Sequence, residues 1–434
     1  MVATVGNGHT TDSPQPSAKV TRVLLLVFAV FFILGGVTNI NDVLIPKLKG
    51  LFDLSYFQAN MVQFAFFMSY ALFSIPAGIL LKKLGYIRGF VVGFMIVAAG
   101  ALLFLPAANT GIYGAFLFAL FVIGGGITML QVAMNPVVVT LGAPETASSR
   151  LTFAQAFNSV GVFLMVYGGA ELMLGDTEAR DTSVMDPAEA TAYRISESAV
   201  IGQAYLALAV AMVLIAVLFW WWRKALDGQK VVETKVEGIW QLFTSTPRLQ
   251  FGALCIFTYV GAEVAIGSNI VSYLGDGRVM NLSPVEGGRL LALYWGGAMV
   301  GRLLGGFILR MFHPGNVLLS AAAINILLIA ISAFSSGAVA GWSLVLCGLF
   351  NSIMFPTIFS LATVGLNERA SQASGILCTA IVGGALLPLA FGLVADGAGL
   401  AAALVVPAIC YAIIASFGCY TASRGVGTAA MSAT

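Results

Sequence analysis

Two carboxylates, Asp42 and Glu263, lie deep inside long apolar runs of this chain, while every other acid falls in a tail, a loop or the end of a run. A charge at the centre of a lipid-spanning segment costs about 3 kcal/mol on insertion scales, so such residues are functional candidates by default. A carboxylate is also a poor choice for holding helices together, because it must stay paired or take up a proton. Asn39 stands three residues before Asp42 and shares its helix face, whereas Asn41 points elsewhere. Neutral amides gather further along the same half. Gln131 and Asn135 are four apart, with Pro136 freeing a backbone carbonyl beside them, and Gln155 and Asn158 are three apart, with Gly161 at the next step. An amide offers both donors and an acceptor, which matches the alternating hydroxyl chemistry of a sugar. Hydrogen bonding between spans is the alternative reading for each.

The second half of the chain contributes Glu263, Asn269, Tyr294, Trp295 and Asn351. Trp295 is interior to its run and is a candidate platform for the apolar face of a pyranose, or else a packed tryptophan. Arg302 stands ready to neutralise an acid or a helix end. Other chemistries are excluded. Both histidines, His9 and His313, lie in a tail or at a run end, so no histidine relay crosses the membrane centre. No Ser/His/Asp constellation and no metal-ligand spacing can be assembled, so no catalytic residue, metal or cofactor is expected. The glycine groups, such as Gly124-Gly125-Gly126 and Gly383-Gly384, sit inside apolar runs without a following Lys-Ser/Thr, so they allow close helix approach and are not phosphate loops. Cys255, Cys347, Cys378, Cys410 and Cys419 show no paired spacing and read as small buried hydrophobes.

These residues need a scaffold that composition defines. Of 434 residues, 59% are apolar and 9% charged, with net charge +2 and mean hydropathy +0.95. A soluble domain carries roughly a quarter of its residues as charges. A cytoplasmic enzyme, a secreted domain and a nucleic-acid binder resting on a basic surface are thereby excluded, and the chain is a membrane protein. Its apolar runs are continuous and long enough for helical spans of about 20 residues, not the alternating segments of a barrel. They fall at about 23–46, 58–81, 89–107, 112–140, 152–174, 199–222, 249–274, 288–311, 315–335, 340–363, 373–395 and 399–421.

The longest basic connection lies at the centre of that series, with six runs on each side. The expected architecture is therefore an all-α membrane protein with twelve transmembrane helices in two pseudo-symmetric six-helix bundles. The expected divisions are a tail 1–22, a first bundle 23–222, a linker 223–248, a second bundle 249–422 and a tail 423–434. A weak internal repeat supports the halves: Ala77-Gly78 and Lys82-Lys83 are echoed by Gly305-Gly306 and Arg310, and Asn135-Pro136 by Phe355-Pro356. With the N-terminus inside, fourteen of the 21 basic residues fall on the inner side and six outside, so both termini are expected in the cytoplasm. The outer stretch 175–198 reads as a long acidic loop. Trp220-Trp221-Trp222 and Arg223 read as an interfacial anchor, and Trp240 as part of a short linker helix.

Several stretches resemble one family. Asn39-Ile-Asn-Asp42, Ile75-Pro-Ala-Gly-Ile-Leu-Leu-Lys-Lys83, Leu130-Gln-Val-Ala-Met-Asn-Pro136 and Ala154-Gln-Ala-Phe-Asn-Ser159 are similar to the fucose/glucose–galactose permeases of the major facilitator superfamily. So are Tyr259-Val-Gly-Ala-Glu-Val-Ala-Ile-Gly-Ser268, Tyr294-Trp-Gly-Gly-Ala-Met-Val-Gly-Arg302 and Asn351-Ser-Ile-Met-Phe-Pro356. The resemblance implies alternating access and monosaccharide uptake across a bacterial inner membrane. It also implies that Asp42 is the essential acid of the first span and that Asn39, Gln155 and Asn158 are cavity amides. Gln131 stands where the fucose branch has a glutamate, which looks like the glucose/galactose branch, and Lys82 replaces the superfamily's acid after the second span.

The expected function is symport of a hexose with a cation, a proton or Na⁺. Substrate contacts are expected from Asn39, Asp42, Gln131, Gln155, Asn158, Glu263, Asn269, Trp295 and Asn351, and cation coupling from Asp42 and Glu263. Membrane lipid is the surrounding partner, no nucleic acid is expected, and the chain should work as a monomer. Two rivals are a drug or organic-cation exporter, against which the amide-rich faces argue, and a membrane receptor, for which the short tails leave no signalling domain.

Overall fold

The computed structural model describes residues 18–140, 147–171, 185–226, 239–366 and 369–426. Among the described residues there are helices and no strands. Helix α1 comprises Ala18–Asn39 and, after a turn at Ile40, Asn41–Phe52. Then follow α2 (Tyr56–Leu84), α3 (Tyr86–Thr110), α4 (Tyr113–Thr140), α5 (Ala147–Gly169) and α6 (Pro187–Leu226). The second half holds α7 (Pro247–Gly275), α8 (Pro284–Met311), α9 (Pro314–Phe334), α10 (Gly337–Thr363), α11 (Ala370 to Ala398) and α12 (Leu400–Ser423). Ten stretches within these helices are long and apolar enough to cross a membrane. The 29-residue α2 and the 23-residue α5 complete the twelve, each long enough at about 1.5 Å per residue to span a core of roughly 30 Å.

An even number of crossings puts α1's start and α12's end on one face, here termed the terminal face, with the α1–α2 and α11–α12 turns on the opposite, distal face. The repeat is visible in the helix starts. Ser55 caps α2 reciprocally with Gln58, and Ser283 caps α8 reciprocally with Glu286, a spacing of 228 residues. Five spans are interrupted among the described residues: α1 at Ile40, α10 at Ser352–Ile353, α11 by the tight turn Ala380–Val382, α3 at Leu103 and α12 at Leu404. The first two breaks abut Asn39, Asn41 and Asn351, polar residues already singled out.

The stretch 187–198, expected as loop, is helical. Its charges have partners that hold the extension of α6 against α1: Lys47 Nζ meets Glu197 Oε2 at 2.7 Å, and Arg194 donates from Nε to the Leu51 carbonyl at 3.3 Å while its guanidinium lies 5.6 Å above the Phe52 ring. Asp176, Glu178, Arg180 and Asp181 lie outside the described residues. So do Lys230 and Lys235 of the linker, in which Ile239–Ser245 forms one short helix. Trp240 on that helix is 79% exposed, and Arg223 stacks over Trp220 at 4.2 Å. Of the cysteines, Cys255, Cys347 and Cys410 are buried, Cys378 is half-buried and Cys419 is exposed.

Within the first half α1 lies against α5 at very short range. A Cβ on Gly161 would run into the Phe32 carbonyl, and one on Gly35 into the Asn158 carbonyl. Small residues at such crossings let backbones meet where lipid supplies no hydrophobic drive. Overpacking of this kind costs about 1–3 kcal/mol or more, so Gly161→Val should lower the melting temperature and the monodisperse fraction in gel filtration. Native behaviour in both would show that α1 and α5 do not need this crossing. Between the halves, α2 packs on α11 and α5 on α8.

Candidate substrate and ion site

Asp42 begins the second segment of α1, just past the break at Ile40, and is 2% exposed. Its carboxylate is held by donors from three other helices. Gln63 of α2 donates Nε2–H to Oδ1 at 2.8 Å, Ser268 of α7 donates Oγ–H to Oδ1 at 3.1 Å, and Trp295 of α8 donates Nε1–H to Oδ2 at 3.1 Å. Gln63 Nε2 also donates to Ser268 Oγ at 2.8 Å. The amide nitrogen of Gln63 and the indole N–H of Trp295 can only donate, so both carboxylate oxygens accept, an arrangement that suits an ionised acid. Such bonds contribute about 1.5–3 kcal/mol each, enough to offset much of the cost of burying the charge. Two of the donors belong to the second half, so Asp42 is shared across the interface.

Toward the distal face the interface is sealed. Asn60 of α2 and Asn269 of α7 exchange amide hydrogen bonds at 3.1 Å in both directions. The Asp396 carboxylate of α11 accepts from the Tyr56 and Phe57 backbone N–H groups at 2.6 and 2.9 Å. Glu171 and Arg289 pair at 2.5 Å near the ends of α5 and α8. Arg289's donation holds the Glu171 carboxyl below the usual carboxylate range, although both side chains are exposed and salt screens the pair.

On the terminal side of Asp42 the polar residues are half-buried instead of sealed: Asn39, Gln131, Gln155, Asn158, Glu263 and Arg302. Gln131 donates to the Tyr70 hydroxyl at 3.0 Å; Tyr70 is two turns past Gln63 on α2, so this amide lies ~10 Å nearer the terminal face than Asp42. Asn158 donates to the Phe31 carbonyl at 3.0 Å, and Asn39 to the Gly35 carbonyl at 3.1 Å. Glu263 accepts from the Tyr259 hydroxyl at 2.8 Å and feels the charge of Arg302. Arg302 itself crosses to α5, donating to Ser159 Oγ and to the Gln155 carbonyl.

The expected residues therefore fall into two tiers. Asp42 and Trp295 meet directly in the sealed tier, and Asn269 lies in the same seal. Trp295 is 7% exposed, with its ring edge-on to Tyr294 at 5.2 Å. Asn39, Gln131, Gln155, Asn158 and Glu263 form the half-buried tier below. Asn351 joins neither. It is fully buried, its oxygen accepting from Asn325 at 2.8 Å and Tyr411 at 2.6 Å and its nitrogen donating to Tyr294 at 2.8 Å. The side chains of Asn135 and Pro136 lie outside those described. Gln63, Ser268, Asn60 and Asp396 are absent from the sequence-derived set, yet the first two touch the central acid.

A helical membrane protein whose halves share one buried carboxylate above a tier of half-exposed amides is built as a two-bundle transporter. Residues 26–388 match the model of the Major Facilitator Superfamily, and the chain belongs to that superfamily. It is 45% identical to a glucose/galactose transporter of Brucella abortus over 413 residues, covering 94% of this chain and 96% of the relative. It is 34% identical to the L-fucose-proton symporter of Escherichia coli over 418 residues, covering 94% of each. The crystal structure of the transporter FucP in its outward conformation superposes with TM-score 0.71 at 31% identity, over 93% of this chain and 99% of that one. These relatives place the chain among the fucose/glucose–galactose permeases.

Proposed function

We infer that this protein is a secondary active transporter, not an enzyme, which imports a hexose of the glucose/galactose type by cation symport through alternating access. The observation that carries the reading is that Asp42 of the first half accepts hydrogen bonds from Ser268 and Trp295 of the second. A cation on Asp42 competes with those donors, so its affinity differs between states in which the distal side is closed and open. Differential affinity is the condition for an ion to drive a conformational equilibrium. The relatives supply the substrate class, one being a glucose/galactose transporter and another a fucose-proton symporter.

In this reading the bundles 23–222 and 249–422 rock about the hexose, which Asn39, Gln131, Gln155, Asn158 and Glu263 contact from the half-buried tier. Trp295 and Asn269 join the set as the halves rearrange, whereas Asn351, enclosed by partners of its own half, supports the site from behind. Asp42 takes the coupling cation, a proton or Na⁺, with Glu263 as the second acid. The excess of basic residues supports a cytoplasmic terminal face and the bacterial relatives support an inner membrane, so in this reading the arrangement is inward-facing. Because one chain supplies both walls of the site, a monomer suffices. Purified protein in proteoliposomes should accumulate labelled glucose or galactose when a proton or sodium gradient is imposed, and fucose more weakly. Failure to accumulate any hexose with either gradient would remove the symport reading.

A further inference from the structure

The amide of Gln63 has its nitrogen fully used and its oxygen idle. Nε2 gives one hydrogen to Asp42 Oδ1 and the other to Ser268 Oγ, both at 2.8 Å, whereas Oε1 is buried with no hydrogen-bond partner. Buried carbonyl oxygens are normally satisfied, so this one needs an explanation. The ionised Asp42 supplies it, because a bare carboxylate demands the N–H and leaves the oxygen turned away. When a cation arrives the demand reverses. A protonated carboxyl presents an O–H donor, and a sodium ion is a hard cation that takes oxygen ligands. The last torsion of a glutamine side chain is broad and two-fold, so a half-turn exchanges nitrogen and oxygen without moving the helix.

We propose that Gln63 is a switching ligand of the coupling cation: its amide nitrogen holds the ionised Asp42, and a half-turn places Oε1 on the cation bound there. Trp295 cannot serve in this way, because an indole N–H only donates. Ser268 accepts from Gln63 with one of its two lone pairs, so it can join the cation as a further oxygen ligand but has no second state to switch to. The half-turn also withdraws the Gln63 N–H from Ser268, so loading the cation removes one bond between α2 and α7. When the cation is a proton, an O–H bond of hydronium breaks as the carboxyl O–H forms, and release reverses the step and returns the proton to water. The proposal rests on the reading of Asp42 as the coupling acid.

The test uses Gln63→Met, which keeps the length of the side chain and removes both amide functions. Gradient-free hexose exchange and gradient-driven accumulation are measured side by side in proteoliposomes. Accumulation should fall at least ~10-fold further than exchange does, since the variant removes coupling beyond any effect on passage. In an Asp42→Asn background the same substitution should change exchange by less than about twofold, because the carboxylate through which Gln63 acts on coupling is already gone. Equal loss of exchange and accumulation, or native accumulation, would overturn the role of Gln63 while Asp42→Asn, measured alone, reports on the acid itself. Native protein carrying isotope-labelled glutamine side-chain carbonyls gives a second readout that needs no Gln63 variant. Its infrared difference between cation-loaded and cation-free states should show a shifted amide carbonyl band that Asp42→Asn abolishes, and an unchanged band overturns the proposal.

Discussion

Asp42→Asn should leave hexose exchange running and abolish accumulation against a gradient. Asparagine keeps the volume of aspartate and one oxygen, so Trp295 or Ser268 retains an acceptor and the distal seal of Asn60 and Asn269 is untouched. What disappears is the titratable or cation-binding group. In a one-to-one symporter each tenfold ion gradient supports a tenfold sugar ratio, about 1.4 kcal/mol. A hundredfold imposed gradient should therefore sustain a ratio on the order of 100 in the native protein and near 1 in the variant. Counterflow, which needs no ion work, should stay within a few-fold of native. If the variant accumulates hexose normally, Asp42 is not the coupling residue. Glu263→Gln then becomes the decisive measurement, because Glu263 is the second acid within a span and is half-buried beside Tyr259 and Arg302.

The membrane class, twelve spans and central acid were legible in the sequence because each rests on a cost that lipid imposes locally. A charge in an apolar run stands out whatever its neighbours are, and Asp42 and Glu263 stood out for that reason. Gln63 was legible in principle. Asn60 and Gln63 are three apart in the second apolar run, the spacing that pairs Asn39 with Asp42, yet nothing local says that they face the other half. Ser268 was hidden more deeply, since a serine in a span usually bonds back to its own helix. The division into a sealed tier and a half-exposed tier depends on how two bundles meet, which no single run encodes. Asn351 illustrates the same limit: its polarity marked it, but the partners that enclose it come from α8, α9 and α12. Residues 187–198 read as loop because their charges suit water, and they are helical because α1 supplies Lys47, the Leu51 carbonyl and the Phe52 ring as partners.

Asp396→Ala should open the distal side. The first N–H groups of any helix lack partners inside it, and the helix end carries partial positive charge. At the start of α2, Ser55 satisfies the Gln58 N–H, while the Tyr56 and Phe57 N–H groups are satisfied from the other half of the molecule, by Asp396. A carboxylate from α11 thus closes the end of α2 only while the halves are together, and water must replace it when they part. These bonds are solvent-exposed, so a combined contribution of roughly 2 kcal/mol is reasonable, which corresponds to about a 30-fold change in the ratio of closed to open forms. Spin labels at Ile112 and Ser336, one on each half and both exposed at the distal face, would report the change in a background without the five cysteines, none of which forms a disulfide. The longer-distance population should rise in Asp396→Ala and rise less in Asp396→Asn, which keeps one acceptor. A distance distribution identical to native would mean that this cap does not hold the distal side closed, and that the shared carboxylate of Asp42, the Asn60–Asn269 pair and the Glu171–Arg289 pair carry the closure.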